Sequence, residues 1–368
     1  MAKRVAVDSW LFTVTLLLIF LGLVMVFSAS AVMAKERYGS GYFFLLRQLG
    51  WAAAGIVAMV LAAKIDYRRY KHPAVVFSLL GFTTLMLISV FFLDRAHHTH
   101  RWFHWGPFSF QPSEMAKPAL ILFLAFFLES RTKSMKDWRN TILPALVPTM
   151  LFIALIVFQP DLGTAIACAA ITGCVLFVAG LDLRVLGYAF AASLLPLYFL
   201  IFHVAYRRDR ILAFLDPYSD PQGRGFHIIQ SLIAVSTGGI TGVGLMEGKQ
   251  KLFYLPEPHT DFIFAVTAEE VGLVGALIVV LLFAVFLWRG IRTALRTEDM
   301  FGRFLAVGIT SMIVVQAFIN ISVVLGMMPT KGIPLPLVSY GGSSLLVTLG
   351  CIGCLLYTSD AADDLTRV

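Results

Sequence analysis

Residues 255–270 read LPEPHTDFIFAVTAEE and place ionisable groups directly before an apolar run. The first half contains three ionisable side chains, Glu257, His259 and Asp261. The apolar run that follows, Phe262–Leu287, is long enough to cross the ~30 Å hydrocarbon core of a bilayer as a helix. The stretch therefore predicts a membrane-spanning helix with polar chemistry at its outer mouth.

The composition requires a bilayer around the chain. Of its 368 residues, 58% are hydrophobic and 14% are charged, and the mean hydropathy is +0.82. We predict an all-α integral membrane protein with about ten transmembrane helices, forming one polytopic domain over residues 1–357. The predicted spans are Trp10–Ala34, Phe43–Ala63, Pro73–Leu93, Pro112–Leu128, Ile142–Phe158, Gly163–Gly180, Leu186–Val204, Phe262–Leu287, Phe304–Met328 and Gly342–Tyr357.

The distribution of cations sets the expected orientation. The first apolar run is long and lacks a small-residue cleavage site after Ser28–Ala31, so we expect a retained helix and a cytoplasmic N-terminus. Alternate loops then carry most of the Lys and Arg residues on the inside. Two outer loops also hold cations: the large extracytoplasmic loop between the seventh and eighth predicted spans, and the last outer loop. These cations are Arg207, Arg208, Arg210, Arg224, Lys249, Lys251 and Lys331.

Each of these outer cations has a plain interpretation, a solvated face or a salt bridge to a neighbouring acid. Taken together they indicate an anionic partner outside the membrane, such as a phosphate-bearing lipid head group. The same loop holds HIIQSLIAV at 227–235, which is too short to span and predicts an interfacial or re-entrant half-helix. The glycine cluster at 236–244 lacks the phosphate-loop pattern, which excludes an ATPase of that type.

Several polar groups fall at membrane depth. Glu114 and Lys117 are three residues apart on one predicted helix face, either as a structural ion pair or as part of a cavity. Asp161 lies at an outer turn, and Glu269 and Glu270 are either functional carboxylates or helix–helix contacts. The four cysteines lie in apolar runs, where packing is a better explanation than redox or metal chemistry.

Five strings carry a resemblance to a known family. They are FSFQPSEMAK (108–117), FQPDLGTA (158–165), RRDRILAFLDPYSDPQGRGFHIIQSLIA (207–234), KLFYLPEPHTDFIFAVTAEEVGLVG (251–275) and PTKGIPLPLVSYGGSS (329–344). In this order along nearly the whole chain, they resemble the SEDS family of bacterial cell-wall polymerases. The PTKG motif, the start of the chain and QKLFYLPEPHTDF are more similar to the division-type (FtsW) branch than to the elongation-type (RodA) branch.

The resemblance implies a ten-helix fold and a peptidoglycan glycosyltransferase that polymerises lipid II, with inversion, at the outer face of the cytoplasmic (inner) membrane, at the division septum. It also implies a divalent cation, Mg²⁺ or Mn²⁺. The implied partners are a class B penicillin-binding protein of the FtsI-like transpeptidase type and septal regulatory proteins, with no nucleic acid.

The resemblance also assigns residues. Asp261 matches the essential aspartate, which we expect to act as general base or as ligand of the metal. An alternative role for Asp261 is an N-terminal cap on the eighth predicted span, Phe262–Leu287. Substrate-binding or cavity roles are expected for Lys331, Lys117, Glu114, Arg101, Arg210, His259 and Ser339. Within this set, Glu114 is expected to hold Lys117, and His259 to orient Asp261 or cap the helix.

Other functions stay open from the residues alone. A lipid II flippase, or another carrier of lipid-linked sugars, would use the same charges as gating or proton-relay groups. An elongation-type polymerase and a scaffold for division proteins are further alternatives. Ionisable groups concentrated on the outer side favour polymerisation. We also expect residues 358–368 to be an atypical tail, truncated or non-native, since the last apolar run reaches only Tyr357.

Overall fold

The computed structural model describes residues 8–93, 101–105, 108–252 and 254–365. Within these ranges the chain is mostly helical, and a short antiparallel hairpin pairs Phe103 with Phe110. The helices are α1 (Ser9–Tyr38), α2 (Phe43–Ala62), α3 (Pro73–Leu93), α4 (Pro112–Glu129), α5 (Leu143–Phe158), α6 (Leu162–Val178), α7 (Leu183–Phe202), α8 (Ala205–Leu215), α9 (Phe226–Gly238), α10 (Ile263–Arg296), α11 (Met300–Val324) and α12 (Gly342–Leu365). The hairpin strands are β1 (Phe103–Trp105) and β2 (Phe108–Phe110).

The ten predicted spans correspond to ten of these helices. Eight helices within the described ranges are long and apolar enough to cross a membrane. The other two are α4, whose 18 residues include three charged side chains, and α6, which has 17 residues. The prediction of an all-α, multi-pass membrane protein is confirmed.

Acidic side chains fix where several spans begin. Asp8 caps α1 by accepting a hydrogen bond from the Leu11 amide (3.1 Å), and Asp161 caps α6 by accepting from the Thr164 amide (3.1 Å). A short side chain with an accepting oxygen satisfies amides that have no partner inside the helix. Asp299 does the same for α11. The chain thus enters the apolar layer at defined residues.

Two helices form the centre of the bundle. Most residues of α4 and α11 are buried, and these helices pack against each other and against α6. By contrast, α7 has no buried residue and contacts only α6 and α8 among the larger helix contacts. The smaller cavity described below therefore lies between residues of the central helix α6 and residues of the peripheral helices α7 and α8.

The large loop contains the predicted half-helix as α9. After it, the chain turns back and contacts α10 where that helix is broken: Gly272 has a positive φ of 71°. The amides of Val243 and Gly244 donate to the carbonyls of Glu269 and Glu270, each at 3.0 Å. Gly242 lies so near that an added Cβ would stand 2.1 Å from the Glu270 carbonyl oxygen. The glycine cluster therefore allows a backbone-to-backbone contact at membrane depth, where polar backbone groups need partners.

The last helix is longer than predicted. The last span was predicted to end at Tyr357, whereas helix α12 continues to Leu365. Ser359 and Asp360 both hydrogen-bond to Asp8, whose carboxylate also accepts from Nε of Arg289 (3.0 Å). Polar contacts with α1 and α10, which hydropathy does not register, thus accompany the extra turns.

Candidate functional site

Five segments meet at one end of the bundle. They are the segment before α10 with Asp261, the loop before α12 with Lys331, the start of α6 with Asp161, the outer part of α8 with Arg210, and Arg101 next to the hairpin. Two adjoining cavities of about 220 and 540 Å³ lie between them and share the wall Arg210, Thr330, Lys331 and Gly332. The smaller cavity also contains Arg101 and Asp161, and the larger one contains Asp261.

The backbone around Asp261 is fastened from two sides. Asn320 on α11 donates through Nδ2 to the carbonyl of Asp261 (2.8 Å) and to that of Ile333 (2.7 Å), so it joins the two loops that carry Asp261 and Lys331. Ser339 donates through Oγ to the carbonyl of Thr260 (2.6 Å). These contacts limit how far the segment can move. Ser339, predicted as a cavity residue, thus makes a buried contact that positions the neighbour of Asp261.

The carboxylate of Asp261 is not used as a helix cap. The N-cap of α10 is Phe262, which makes no side-chain capping bond, so the alternative role for Asp261 is not the one that the structure shows. The carboxylate instead lies beside Gly332, where an added Cβ would stand 3.0 Å from Oδ2. Burial, followed by the charge of Glu257, raises the pKa of Asp261 to about 7. A carboxylate with this pKa can accept a proton near neutral pH.

Two cations face this carboxylate region from the shared wall. Burial lowers the pKa of Lys331 to about 8, against the opposing effect of Asp161. Arg210 donates to the carbonyl of Thr330 (3.4 Å) and lies over the ring of Tyr206. Together they place positive charge next to Asp261, where an anionic group in the cavities would be bound.

Arg101 and Asp161 complete the smaller cavity. Arg101 donates through Nε to the carbonyl of Gln159 (2.8 Å) and also contacts the carbonyl of Pro160, so it fixes the turn before α6. Asp161 accepts hydrogen bonds from Thr164 and Gln111. Both side chains therefore shape the wall as well as contributing charge.

His259 lies against aromatic rings. Its ring is 4.5 Å from that of Phe44 and 5.6 Å from that of Tyr340, and its Nε2 is 3.9 Å from a carboxylate oxygen of Glu257. Burial lowers the pKa of His259 to about 4, so the ring is neutral at physiological pH. Its carbonyl accepts from the Tyr340 amide (2.9 Å). These contacts place His259 as a packing residue of the segment, and the expected orientation of Asp261 by its imidazole stays a prediction.

Glu114 and Lys117 form the predicted ion pair. Lys117 Nζ lies 2.9 Å from both carboxylate oxygens of Glu114, and the two side chains are 1% and 4% exposed. Neither residue is among the described residues that line the two cavities. The geometry supports the structural interpretation of the pair over a direct contact with a substrate.

The other outer cations divide into three kinds. Arg207 is buried and donates to carbonyls of the neighbouring helices α5 and α7, and Lys251 is buried in an ion pair with Glu270. Arg224 pairs with Asp209 at the rim of the larger cavity. Arg208 and Lys249 are exposed. The set predicted to bind an anion therefore reduces to the four of its cations that line the cavities, Arg207, Arg210, Arg224 and Lys331.

Sequence reasoning missed Asn320, which joins the two loops. It also missed Gln48 on α2, whose side chain donates to the Ser339 carbonyl (3.1 Å) and accepts from the Gly341 amide (3.3 Å). Each is an uncharged polar residue inside an apolar span, and that is the signal that could have found them.

The fit of a divalent cation can be tested on the donors present. No group of three or more His, Cys, Asp or Glu side chains within the described ranges could hold a metal ion. Mg²⁺ is commonly bound through one or two carboxylates together with water and substrate phosphates. Asp261, a carboxylate on the wall of the larger cavity, fits a site of that kind as a single protein ligand.

Comparison with known proteins identifies the family of this chain. The sequence profile of the FtsW/RodA/SpoVE family, described as "Cell cycle protein", matches residues 8–363. The chain belongs to this family. A relative from Geobacter metallireducens named "Probable peptidoglycan glycosyltransferase FtsW" is 45% identical over 92% of this chain and 90% of its own length. Stage V sporulation protein E of Bacillus subtilis is 43% identical over 97% of this chain and 98% of its own.

Solved structures of the FtsW/RodA/SpoVE family share the fold. A chain from a structure titled "Structural coordination of polymerization and crosslinking by a peptidoglycan synthase complex" is 34% identical, has a TM-score of 0.80 and is matched over 97% of this chain and 98% of its own. The rod shape determining protein RodA of Thermus thermophilus is 30% identical, with a TM-score of 0.71 and coverage of 97% and 98%. The FtsW-named relatives confirm the predicted division-type membership.

Proposed function

We propose that this protein is a peptidoglycan glycosyltransferase that polymerises lipid II into glycan strands during cell division. The names of the FtsW relatives support the reaction class. The observation that carries the proposal is the pairing of Asp261 with Lys331 and Arg210 around adjoining cavities at one end of the bundle. A lipid-linked sugar diphosphate needs a base near its reacting hydroxyl and cations near its pyrophosphate. It needs them at one end of the bundle, because its lipid chain lies in the bilayer while its reacting groups stand at the membrane surface.

The reaction needs a proton acceptor and a source of positive charge, and these side chains can supply both. A sugar 4-hydroxyl attacks the anomeric carbon of a second lipid II, a C–O bond forms with inversion, and the bond to the pyrophosphate oxygen breaks. Asp261 accepts the hydroxyl proton, which contributes typically ~10²–10⁴-fold in rate. Lys331 and Arg210 bind the pyrophosphate and stabilise the negative charge that develops on it as it leaves.

The divalent cation belongs to this proposal as well. As the alternative to its role as base, we propose that Asp261 holds Mg²⁺ or Mn²⁺ together with phosphate oxygens of the substrate. When bound, the cation would neutralise charge on the pyrophosphate. Such a hard cation prefers a carboxylate donor, and the described residues that line the cavities include no cysteine and a single histidine, His227.

Partner and location follow from the same reasoning. The structure of a peptidoglycan synthase complex supports a partner that crosslinks the polymer, and we propose a class B penicillin-binding protein of the FtsI-like type, together with septal regulatory proteins. We place the multi-pass chain in the cytoplasmic membrane at the septum, with its N-terminus inside and the cavities outside.

The test is polymerisation of fluorescent lipid II by the purified protein in detergent, with and without the partner, in Mn²⁺ and in excess EDTA. We expect glycan polymer on a gel, dependent on the divalent cation. Translocation of labelled lipid II across liposomes without polymer in any condition would instead identify a flippase and overturn the proposal.

A further inference from the structure

A buried ion pair lies in the outer part of α10 and is not part of the cavities. Lys251 Nζ is 2.6 Å from Oε1 of Glu270, and the two side chains are 3% and 0% exposed. Ser28 on α1 donates to Oε2 of Glu270 (2.6 Å) and lies 3.0 Å from the lysine Nζ. All three side chains are therefore partnered within one enclosed cluster.

The backbone near Lys251 is held by the same helix turn. Glu269 accepts a hydrogen bond from the Lys249 amide (2.8 Å) and from the Gln250 amide (3.2 Å). Glu270 accepts another from the Met246 amide (3.2 Å). The two adjacent carboxylates thus fix the segment 246–251 to α10 two residues before its break at Gly272.

The position of this pair in the chain gives it a consequence for the site. The ion pair closes a 20-residue loop, 251–270, and Asp261 lies ten residues after Lys251 and nine before Glu270. The second half of this loop is the rigid first part of α10. The first half, Leu252–Thr260, has no regular helix or strand in its described residues and depends on its ends for its position.

One end of that first half is held by Ser339 and Asn320, as described above. The other end is held by Lys251 and the carboxylates on α10, and Leu255 packs in the core between them (1% exposed). Pro256 and Pro258 each fix their own φ dihedral, which reduces the backbone freedom of this stretch. A shift at Lys251 would therefore change the position of the backbone that leads to Asp261.

We propose that Lys251 and Glu270 form a clasp that positions Asp261 for the glycosyl transfer. They are positioning residues, since neither is among the described residues that line the cavities. The inference rests on the proposed function, because it assigns these residues a role in that reaction. Misplacing a reacting group by ~1 Å can cost ~10²-fold in rate, so the clasp is expected to affect kcat far more than KM.

The test compares Lys251→Met, Glu270→Gln and the double variant in the lipid II assay, with thermal unfolding measured in the same detergent. Each single variant leaves a buried charge without its partner and should lose stability, whereas the double variant removes both charges and should regain much of it. We expect kcat to fall about 10²-fold in the double variant despite its recovered stability, with KM within a few-fold of wild type.

Two further variants serve as controls. Lys249→Met removes an exposed lysine two residues away and should keep wild-type stability and kcat. Lys251→Arg keeps the charge and should retain more activity than Lys251→Met. Recovery of both stability and kcat in the double variant would show that the ion pair is structural only and would overturn the proposal.

Hydrogen exchange of residues 254–261 provides a readout that does not depend on activity. The double variant should exchange faster than wild type there, while Lys249→Met should not. Unchanged exchange would contradict the clasp even if the wild-type protein formed no polymer. Absence of polymer from wild type, with exchange accelerated as expected, would instead count against the proposed function alone.

Discussion

The buried pair Glu114–Lys117 provides a quantitative test of how this bundle holds charge at depth. We consider Glu114→Gln, Lys117→Met and the double variant. At the observed 2.9 Å and an effective dielectric of about 20, the direct attraction is roughly 6 kcal/mol. Breaking one side of a buried pair typically costs ~3–5 kcal/mol, because the remaining charge is left without a partner, whereas replacing both is much milder.

Thermal unfolding in detergent, monitored by fluorescence, measures the effect. Both single variants should unfold at clearly lower temperatures than wild type, and the double variant should lie closer to wild type than either. Because each single loss is ~3–5 kcal/mol and the double loss is smaller than either, the double-mutant cycle should give a coupling energy of at least ~3 kcal/mol, at or above the upper end for residues in contact. Lys71→Met is a matched control, since Lys71 pairs with Glu129 at 2.6 Å but is 45% exposed, and such pairs contribute only ~0–1 kcal/mol.

The result that would refute this reasoning is additivity. If the losses of the two single variants simply sum in the double variant, Glu114 and Lys117 do not compensate each other. A change for Lys71→Met as large as that for Lys117→Met would equally show that burial is not the cause.

Three further predictions concern the cavities. The pH profile of kcat/KM should be bell-shaped, rising through about 7 as Asp261 loses its proton and falling above about 8 as Lys331 does; Glu257→Gln should move the lower midpoint down, and an unchanged midpoint would argue against Asp261 as the base. Lys331→Ala should reduce lipid II turnover at least about tenfold at both low and moderate salt, since a charge-assisted bond contributes ~1.5–3 kcal/mol, whereas a loss seen only at low salt would make Lys331 a surface charge. Asn320→Ala leaves the carbonyls of Asp261 and Ile333 without a partner, at ~1–3 kcal/mol each, and should lower both unfolding temperature and turnover; normal turnover would show that the two loops keep their places without it.

Most of the spans could be predicted because they are long apolar runs. Hydropathy also placed Asp261 and Lys331 at the same end, since alternation of spans fixes which loops share a side. The predicted end of α12 was wrong. Ser359 and Asp360, which lie beyond it, hydrogen-bond to Asp8, a residue more than 350 positions earlier. Contacts across such separations leave no mark in local periodicity.

The roles of individual charges were harder to predict for the same reason. Lys251 looks like any loop lysine in the sequence, and only the fold shows that it is buried against Glu270. Asp261 occupies a sequence position typical of a helix cap, yet α10 begins two residues later, at Ile263, with Phe262 as its N-cap. Asn320 attracts little notice among apolar neighbours, although it joins the two loops that form the site.

The central claim is that Asp261 carries the chemistry of glycan polymerisation, and Asp261→Asn tests it most directly because it keeps size while removing the charge. The measurement is polymer formed from fluorescent lipid II by purified Asp261→Asn and wild-type protein, each with the partner and Mn²⁺. The unfolding temperatures of the two proteins are measured alongside, to show that they are equally stable. We predict that the variant folds and inserts normally and forms no detectable polymer. Polymer at the wild-type rate from Asp261→Asn would remove this residue from the mechanism and contradict the account.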